Sequence, residues 1–198
     1  MPRSTRFPRQ YFARKTLEVA RGLVGTHFVR ETTKGRISGI IAETEAYCGI
    51  TDPASHAYAG RKTNRTVIMY GPAGYAYVYF VYGMHHCFNV VTDRDGTAGA
   101  VLLRGIIPLD GIELITRNAD KRYEQVNGPG KLCRAYGITK KENGLDLCGG
   151  DSTIYFSKGL TLSGDEVHAC PRIGIGYAGE AKYWPWRFVL RGHGYNCK

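Results

Sequence analysis

Residues 75–82 read YAYVYFVY, with Gly83 immediately after. Period-two alternation puts Tyr75, Tyr77 and Tyr79 on one face of a strand and Ala76, Val78 and Phe80 on the other. Gly83 breaks that strand, Tyr82 falls at the turn, and residues 87–92 resume the extended pattern. A second long alternation at 36–47 sets an Ile37/Gly39/Ile41/Glu43/Glu45 face against a Ser38/Ile40/Ala42/Thr44/Ala46 face. Shorter strands are predicted at 26–30, 98–107, 153–156, 172–175 and 187–191.

Helices are few. Thr16 reads as an N-cap before Leu17, Ala20, Leu23 and Val24, with Gly25 as the stop. Asp110 reads as the cap of a helix running to Arg117, and Pro129 opens another that ends near Gly137. Residues 52–66 are polar and rich in Gly and Ala, which suits a loop. Strands outnumber helices without regular βαβ alternation. The expected fold is α+β: a single domain over residues 1–198, with a curved, largely antiparallel β-sheet flanked by short helices.

The 198 residues are 43% hydrophobic and 22% charged, enough for a core without covalent staples. A net charge of +10 favours a polyanionic partner, nucleic acid first, although a merely basic surface would carry the same charge. Cys48, Cys87, Cys133, Cys148, Cys170 and Cys197 form no C-x-x-C pair and are expected to be reduced thiols. No apolar run is long enough for a membrane span. The first ten residues are basic without an apolar stretch, fitting either a transit peptide or a DNA-contacting arm.

Several side chains could carry chemistry. Glu43 and Glu45 lie two apart at a strand end, so both share one face and either could activate water, although a solvated strand end would read the same way. The tyrosine row, with Tyr82 and Tyr47 nearby, could be a stacking platform or simply a packed sheet face. Arg61, Lys62, Arg65 and Arg94 suit phosphate contacts. Arg104 interrupts the apolar run 100–107, which calls for an acidic partner, with Glu45 the favoured one. His85, His86 and Cys87 lack zinc spacing, so no metal is expected. Gly174, Gly176 and Gly179 match a dinucleotide fingerprint literally but leave no room for its βαβ unit. A basic aromatic binding module without catalysis, or a metal-dependent nuclease, would use some of the same residues.

The stretches IAETEAYCG (41–49), SHA (55–57), GRKTNR (60–65), YVYFVYGMHHCFN (77–89), VLLR (101–104), GPGKLC (128–133) and PRIGIGYAGE (171–180) run in one order along the chain. Together they resemble the alkyladenine (3-methyladenine) DNA glycosylase family, the single-domain type related to the mammalian enzyme. The likeness covers nearly the whole chain and extends to an N-terminal helix at RQYFARKTLEVARGLVG. The chain departs from the mammalian pattern at His85 and His86, where that pattern is more aromatic.

The resemblance implies a monofunctional enzyme of base excision repair that acts on damaged purines in double-stranded DNA. Glu45 would be the general base and Arg104 would hold the attacking water and a phosphate. Tyr47, His56 and Tyr79 would sandwich the everted base, and Asn89 would exclude guanine by clashing with its amino group. Tyr82 would wedge into the duplex with help from Met84. Tyr77 would support the base site, and Arg61 and Arg65 would meet phosphates. No cofactor, a monomer and an intracellular place with the DNA are expected. Arg104 is further expected to keep Glu45 at low pKa.

Overall fold

The computed structural model describes residues 6–120 and 125–197. Chain order within them is α1 (Arg9–Phe12), α2 (Thr16–Leu23), β1 (His27–Thr32), β2 (Gly35–Tyr47), β3 (Ala76–Val81), β4 (His85–Val91) and β5 (Ala100–Asp110). Then come α3 (Ile112–Ala119), β6 (Val126–Asn127), α4 (Pro129–Ala135), β7 (Ile154–Ser157), β8 (Val167–Cys170) and β9 (Arg187–Leu190). The nine strands make one antiparallel sheet in the order β3-β4-β5-β2-β1-β7, with β6 on β5 and β8 on β9. β2 is its spine. One edge carries β5, and the other is divided between β1 at Gly35–Ile40 and β9 at Glu43–Glu45. The α+β expectation stands: a curled antiparallel sheet with short helices around it.

Alternation sorts the side chains. Ala76 and Val78 of β3, Phe88 and Val90 of β4, and Val101 and Leu103 of β5 face the main core. There Phe28 meets Phe88, Tyr136 and Phe156 at ring separations of 5.2 Å. The intervening residues, including Tyr77, Tyr79 and Val91, face the other way and join Ala57 and Met69 in a smaller cluster under the loop that follows β2. A third cluster, Ala54 with Ile175, Ala178 and Ala181, packs beside Tyr47.

On β2 the register with β5 first shifts between Ser38 and Gly39, and the expected alternation fails further along, where the failure matters. The register with β5 shifts between Ile41 and Glu43 and again before Thr44. Consecutive Ile41 and Ala42 therefore both join the main core. Beyond the shift Ala42, Thr44 and Ala46 point coreward, Thr44 donating to the Ala20 carbonyl of α2. Glu43 and Glu45 do share a face, as expected, but Ile41 does not share it with them. A one-residue irregularity re-aims every side chain after it.

Other expectations need correction. Thr16 is the first residue of α2, not its cap; Lys15 caps the helix, and the buried Thr16 hydroxyl accepts from Thr92. Asp110 ends β5 and accepts from Ser38, leaving Gly111 as the cap of α3. Residues 172–175 form no strand: the Ile173 amide donates to the Glu45 carboxylate instead of to a strand carbonyl, and the Arg172 side chain is drawn in by Asp52 and the Ala46 carbonyl. β6 and β8 were not expected. Cys170 and Cys197 are paired in a disulfide, against the all-reduced expectation, while Cys48, Cys87, Cys133 and Cys148 are free. The bond joins the end of β8 to the C-terminal segment, a meeting set by tertiary structure and invisible in spacing. Of the basic opening, residues 1–5 lie outside the described residues. Arg6 stacks on Tyr155 and Arg9 pairs with Asp146, so those two serve the fold. Among the described residues no helix is long and apolar enough to cross a membrane.

Gly49 ends the spine strand's approach to the loop. Its φ is +65°, and a Cβ there would collide with the Ala98 carbonyl. Gly60 also has positive φ, +77°, but open space around it. Gly49→Ala should cost about 2 kcal/mol or more, lowering Tm by roughly 4–8 °C in a chain of this size. Gly60→Ala should cost clearly less. Equal melting temperatures for the two variants would show that the close approach at Gly49 is unimportant.

Candidate active site

The faces turned away from the main core enclose a cavity of about 390 Å³, the scale of a small planar ligand. Its walls come from β2 (Glu45, Tyr47), the following loop (Ala54, His56, Arg65), β3 (Tyr77, Tyr79), β4 (Cys87, Asn89), β5 (Leu102, Arg104) and the segment Ile173, Ile175 and Tyr177.

Glu45 has no solvent exposure. Its Oε1 accepts from the Ile173 amide at 2.8 Å and its Oε2 from the Tyr47 hydroxyl at 2.8 Å. Arg104 Nε stands 3.5 Å from Oε1. Burial, which penalises the charged carboxylate, outweighs Arg104, the Ile173 amide and Tyr47, so the carboxyl lies above its usual range. The expected low value is thus overturned. The expected partner is also shared: Arg104 Nε donates to Glu43 at 3.2 Å, and Glu45 is its second, longer contact.

Tyr47 is held from both ends. Its hydroxyl binds Glu45, and the Arg172 guanidinium lies 4.9 Å from its ring centre. Arg172 forms a fully buried two-point pair with Asp52, at 2.6 and 2.8 Å, and also donates to the Ala46 carbonyl. Asp52 in turn accepts from the amides of Cys48 and Ala54. This buried pair fastens the loop carrying His56 to the segment carrying Ile173.

His56, Tyr77 and Tyr79 form the opposite wall. His56 stands edge-on to Tyr79 at 4.8 Å, and Tyr77 leans on Tyr79 at 5.2 Å. Arg65 donates to His56 Nε2 at 2.9 Å, and His56 Nδ1 lies 2.9 Å from the Tyr77 hydroxyl. A guanidinium only donates, so Nε2 is the acceptor and the proton resides on Nδ1, pointing at Tyr77. Burial, then Arg65 and Arg61, push the His56 pKa down to about 4. The ring is therefore neutral at pH 7, which leaves the Arg65 guanidinium as the charged group of this wall. Asn89 is buried at the base of the cavity, donating to the Tyr77 carbonyl at 3.0 Å.

Tyr82 stands at the rim, 83% exposed. Both it and Gly83 have positive φ, 52° and 66°, and the Met84 amide donates to the Val81 carbonyl. That is the pattern of a tight hairpin turn that usually selects Asn, Asp or Gly. A bulky tyrosine there costs roughly 1–2 kcal/mol in backbone strain.

The structure therefore brings together Glu45, Arg104, Tyr47, His56, Tyr79, Tyr77, Asn89, Tyr82 and Arg65. Arg65 also lies 4.5 Å over the Tyr79 ring, making it part of the wall. Arg61 and Met84 are not in the lining. Arg61 is exposed on the neighbouring loop, and Met84, 70% exposed, borders a separate groove with His85, His86 and Arg134. His85 and Cys87 line different cavities. Among the described residues no three His, Cys, Asp or Glu side chains gather as a metal site requires.

Sequence reasoning missed the Ile173 amide, Tyr177 at the rim, the Arg172–Asp52 pair and the contacts of Arg187. Signals existed for some. The rule that an arginine amid apolar residues needs an acid applies to Arg187 in WRFVLR as well as to Arg104.

A family model described as Methylpurine-DNA glycosylase (MPG) matches residues 10–194. A protein of Desulfitobacterium hafniense (strain Y51) is 47% identical over 195 residues, covering 93% of this chain and 95% of its own. One of Bacillus cereus (strain ATCC 14579) is 45% identical over 203 residues, covering 96% and 98%. One of Methanocella arvoryzae is 46% identical over 184 residues, covering 91% and 90%. All three carry the name "Putative 3-methyladenine DNA glycosylase".

His56 offers a direct check on the wall's electrostatics. In an NMR titration its ring should titrate near 4, and Arg65→Gln should move it upward. The folded value lies below the unfolded one, so the unfolded chain binds more protons between them. This group's contribution to stability is complete above the unfolded value of about 6.5 and is lost as pH falls toward 4. A His56 midpoint near the ordinary value would show that its surroundings do not keep the ring neutral.

Proposed function

The chain belongs to the methylpurine-DNA glycosylase family and is a DNA glycosylase, a hydrolase of N-glycosyl bonds; from this premise we propose that it everts an alkylated purine nucleotide into the cavity and hydrolyses its glycosidic bond with a water activated by Glu45. The observation that carries the reading is a buried carboxylate fixed in the wall of an aromatic cavity whose rim holds a strained, exposed tyrosine.

A purine alkylated at N3 or N7 is cationic and a good leaving group, so the protein must supply access, selection and a nucleophile. Access requires eversion, which costs a few kcal/mol in lost pairing and stacking. Tyr82 offsets that by entering the vacated space, with Met84 beside it on the same turn. The net charge of +10 supplies general attraction to duplex DNA, and Arg61 and Arg65 make phosphate contacts near the mouth.

Selection rests on stacking between Tyr47 on one side and His56 and Tyr79 on the other. Electron-rich ring faces favour a cationic base, roughly 1–3 kcal/mol per stacked base. A protonated His56 would add a second cation beside Arg65 and repel it, so the depressed His56 pKa serves the same end. Asn89, tied to the Tyr77 carbonyl, cannot swing aside, and this makes it a fixed obstacle to the amino group of guanine. Tyr77 holds His56 through Nδ1.

For the chemical step Glu45 works ionised. It takes a proton from water as the water oxygen bonds to the anomeric carbon, while the glycosidic electron pair leaves with the purine. The carboxylate also stabilises the positive charge growing on the sugar. Arg104 lowers the cost of its ionisation and reaches the water and the phosphate of the everted nucleotide. Neutral 3-methyladenine and an abasic site result, with no strand cleavage. The enzyme needs no cofactor, acts as a monomer and works wherever the cell keeps its DNA.

Glu45→Gln should bind lesion duplex normally but release base about 10²–10⁴-fold more slowly. Wild-type excision should show an acid limb above the ordinary carboxylate range, because burial raises Glu45, and borohydride should trap no covalent adduct. Normal excision by Glu45→Gln removes Glu45 from the role, and a trapped adduct replaces water with a protein nucleophile. Tyr82→Asn relieves the positive-φ strain, so it should raise stability by about 1 kcal/mol while weakening binding to every lesion alike. Unchanged DNA affinity in that variant would mean that Tyr82 does not wedge.

A further inference from the structure

Behind Arg104 lies a second cavity of about 350 Å³, bordered by Glu43, Arg104, Arg187 and Tyr195 among others. Arg104 lines both cavities, whereas Glu43 and Arg187 border only the rear one. Glu43 Oε1 accepts from Arg104 Nε at 3.2 Å and from Arg187 Nη1 at 2.8 Å. Both carboxylates of β2 thus press on one guanidinium, Glu43 more closely than Glu45. Arg187 sits directly opposite Glu45 in the β2–β9 register and is buried. Its Nε donates to the Pro171 carbonyl at 2.8 Å, while Nη2 has no partner. A buried arginine with an unsatisfied group is costly and calls for a compensating role.

We infer that Glu43 and Arg187 are a positioning pair that decides how much of Arg104's charge reaches Glu45, and through it how readily the proposed base is ionised. The inference rests on the reading of Glu45 as that base. With Glu45 ionised for the chemical step, two acids, Glu43 and Glu45, stand against two arginines, Arg104 and Arg187. Glu43 alone would hold Arg104 back from Glu45 and repel its charge. Arg187 takes up much of that negative charge from the rear.

The groups around Glu45 are Glu43 and Tyr47 on β2, Arg104 on β5, Cys87 on β4, and Arg172 and Tyr177 on the segment that crosses the cavity. Among them Arg104 favours the ionised form and Glu43 opposes it. Two substitutions on the same pair should therefore act with opposite sign. Glu43→Gln keeps an acceptor for both arginines but removes the like charge, so Glu45 ionises more easily. Arg187→Met removes the cation that offsets Glu43 from the rear and leaves Arg104 as its one close arginine partner, so Arg104 is drawn away from Glu45 and Glu45 ionises less easily. A pair serving only to hold the strands together would not separate by sign.

The test is single-turnover release of 3-methyladenine from duplex DNA as a function of pH, for wild type, Glu43→Gln, Arg187→Met, Arg187→Lys and Glu45→Gln. The acid limb should move down by roughly half a unit to one unit in Glu43→Gln, move up in Arg187→Met, and return toward wild type in Arg187→Lys. If Arg187→Met does not fold, the downward shift in Glu43→Gln still decides. An acid limb that stays fixed or rises in Glu43→Gln overturns the inference. Normal excision by Glu45→Gln would instead overturn the base assignment on which it rests, and the two failures are distinguishable within the same series.

Discussion

Everything at this site depends on keeping one carboxylate out of water without losing the option of charging it. Glu45 is fully buried, and an isolated ionised carboxylate in such a place is prohibitively costly. The fold answers with three donors from three parts of the chain: the Ile173 amide, the Tyr47 hydroxyl and the Arg104 guanidinium. They reduce the penalty without cancelling it, and the carboxyl remains shifted toward its neutral form. A carboxylate so held has a raised affinity for protons, which is what the base role proposed for it requires. A strongly salt-bridged carboxylate of low pKa would be a poorer base.

The rest of the molecule can be read as the means of assembling those donors. The register shift on β2 turns Glu43 and Glu45 away from the core. β5 places Arg104 beside them, and the buried Arg172–Asp52 pair draws the Ile173 segment up to Glu45. Tyrosine serves twice: Tyr47 as donor and wall, Tyr79 as wall. At the rim Tyr82 sits in a positive-φ turn that would be relaxed with a smaller residue.

Much of this was legible in the sequence. YAYVYFVY announced its strand and its tyrosine face, and the 36–47 alternation announced the spine. The pairing of Glu43 with Glu45 on one face, and the need of Arg104 for acids, followed from period and polarity. Ile41 was assigned to the wrong face because a bulge leaves no mark in a hydrophobicity pattern. The 172–175 stretch looked like a strand because its residue types favour one, yet its backbone bonds to a distant carboxylate. Contacts of that kind, with more than a hundred residues between partners, depend on topology that local pattern does not contain. The order of Arg104's two partners needed distances, and the raised Glu45 needed its full burial to be seen.

The most direct test of the central claim is a crystal structure of the protein on duplex DNA carrying a lesion analogue with an uncleavable glycosidic bond. The account predicts an everted nucleotide between Tyr47 and Tyr79, with a water hydrogen-bonded to the Glu45 carboxylate and about 3–3.5 Å from the anomeric carbon. A lesion still stacked in the helix, or a sugar whose anomeric carbon is out of reach of any water held by Glu45, would contradict it.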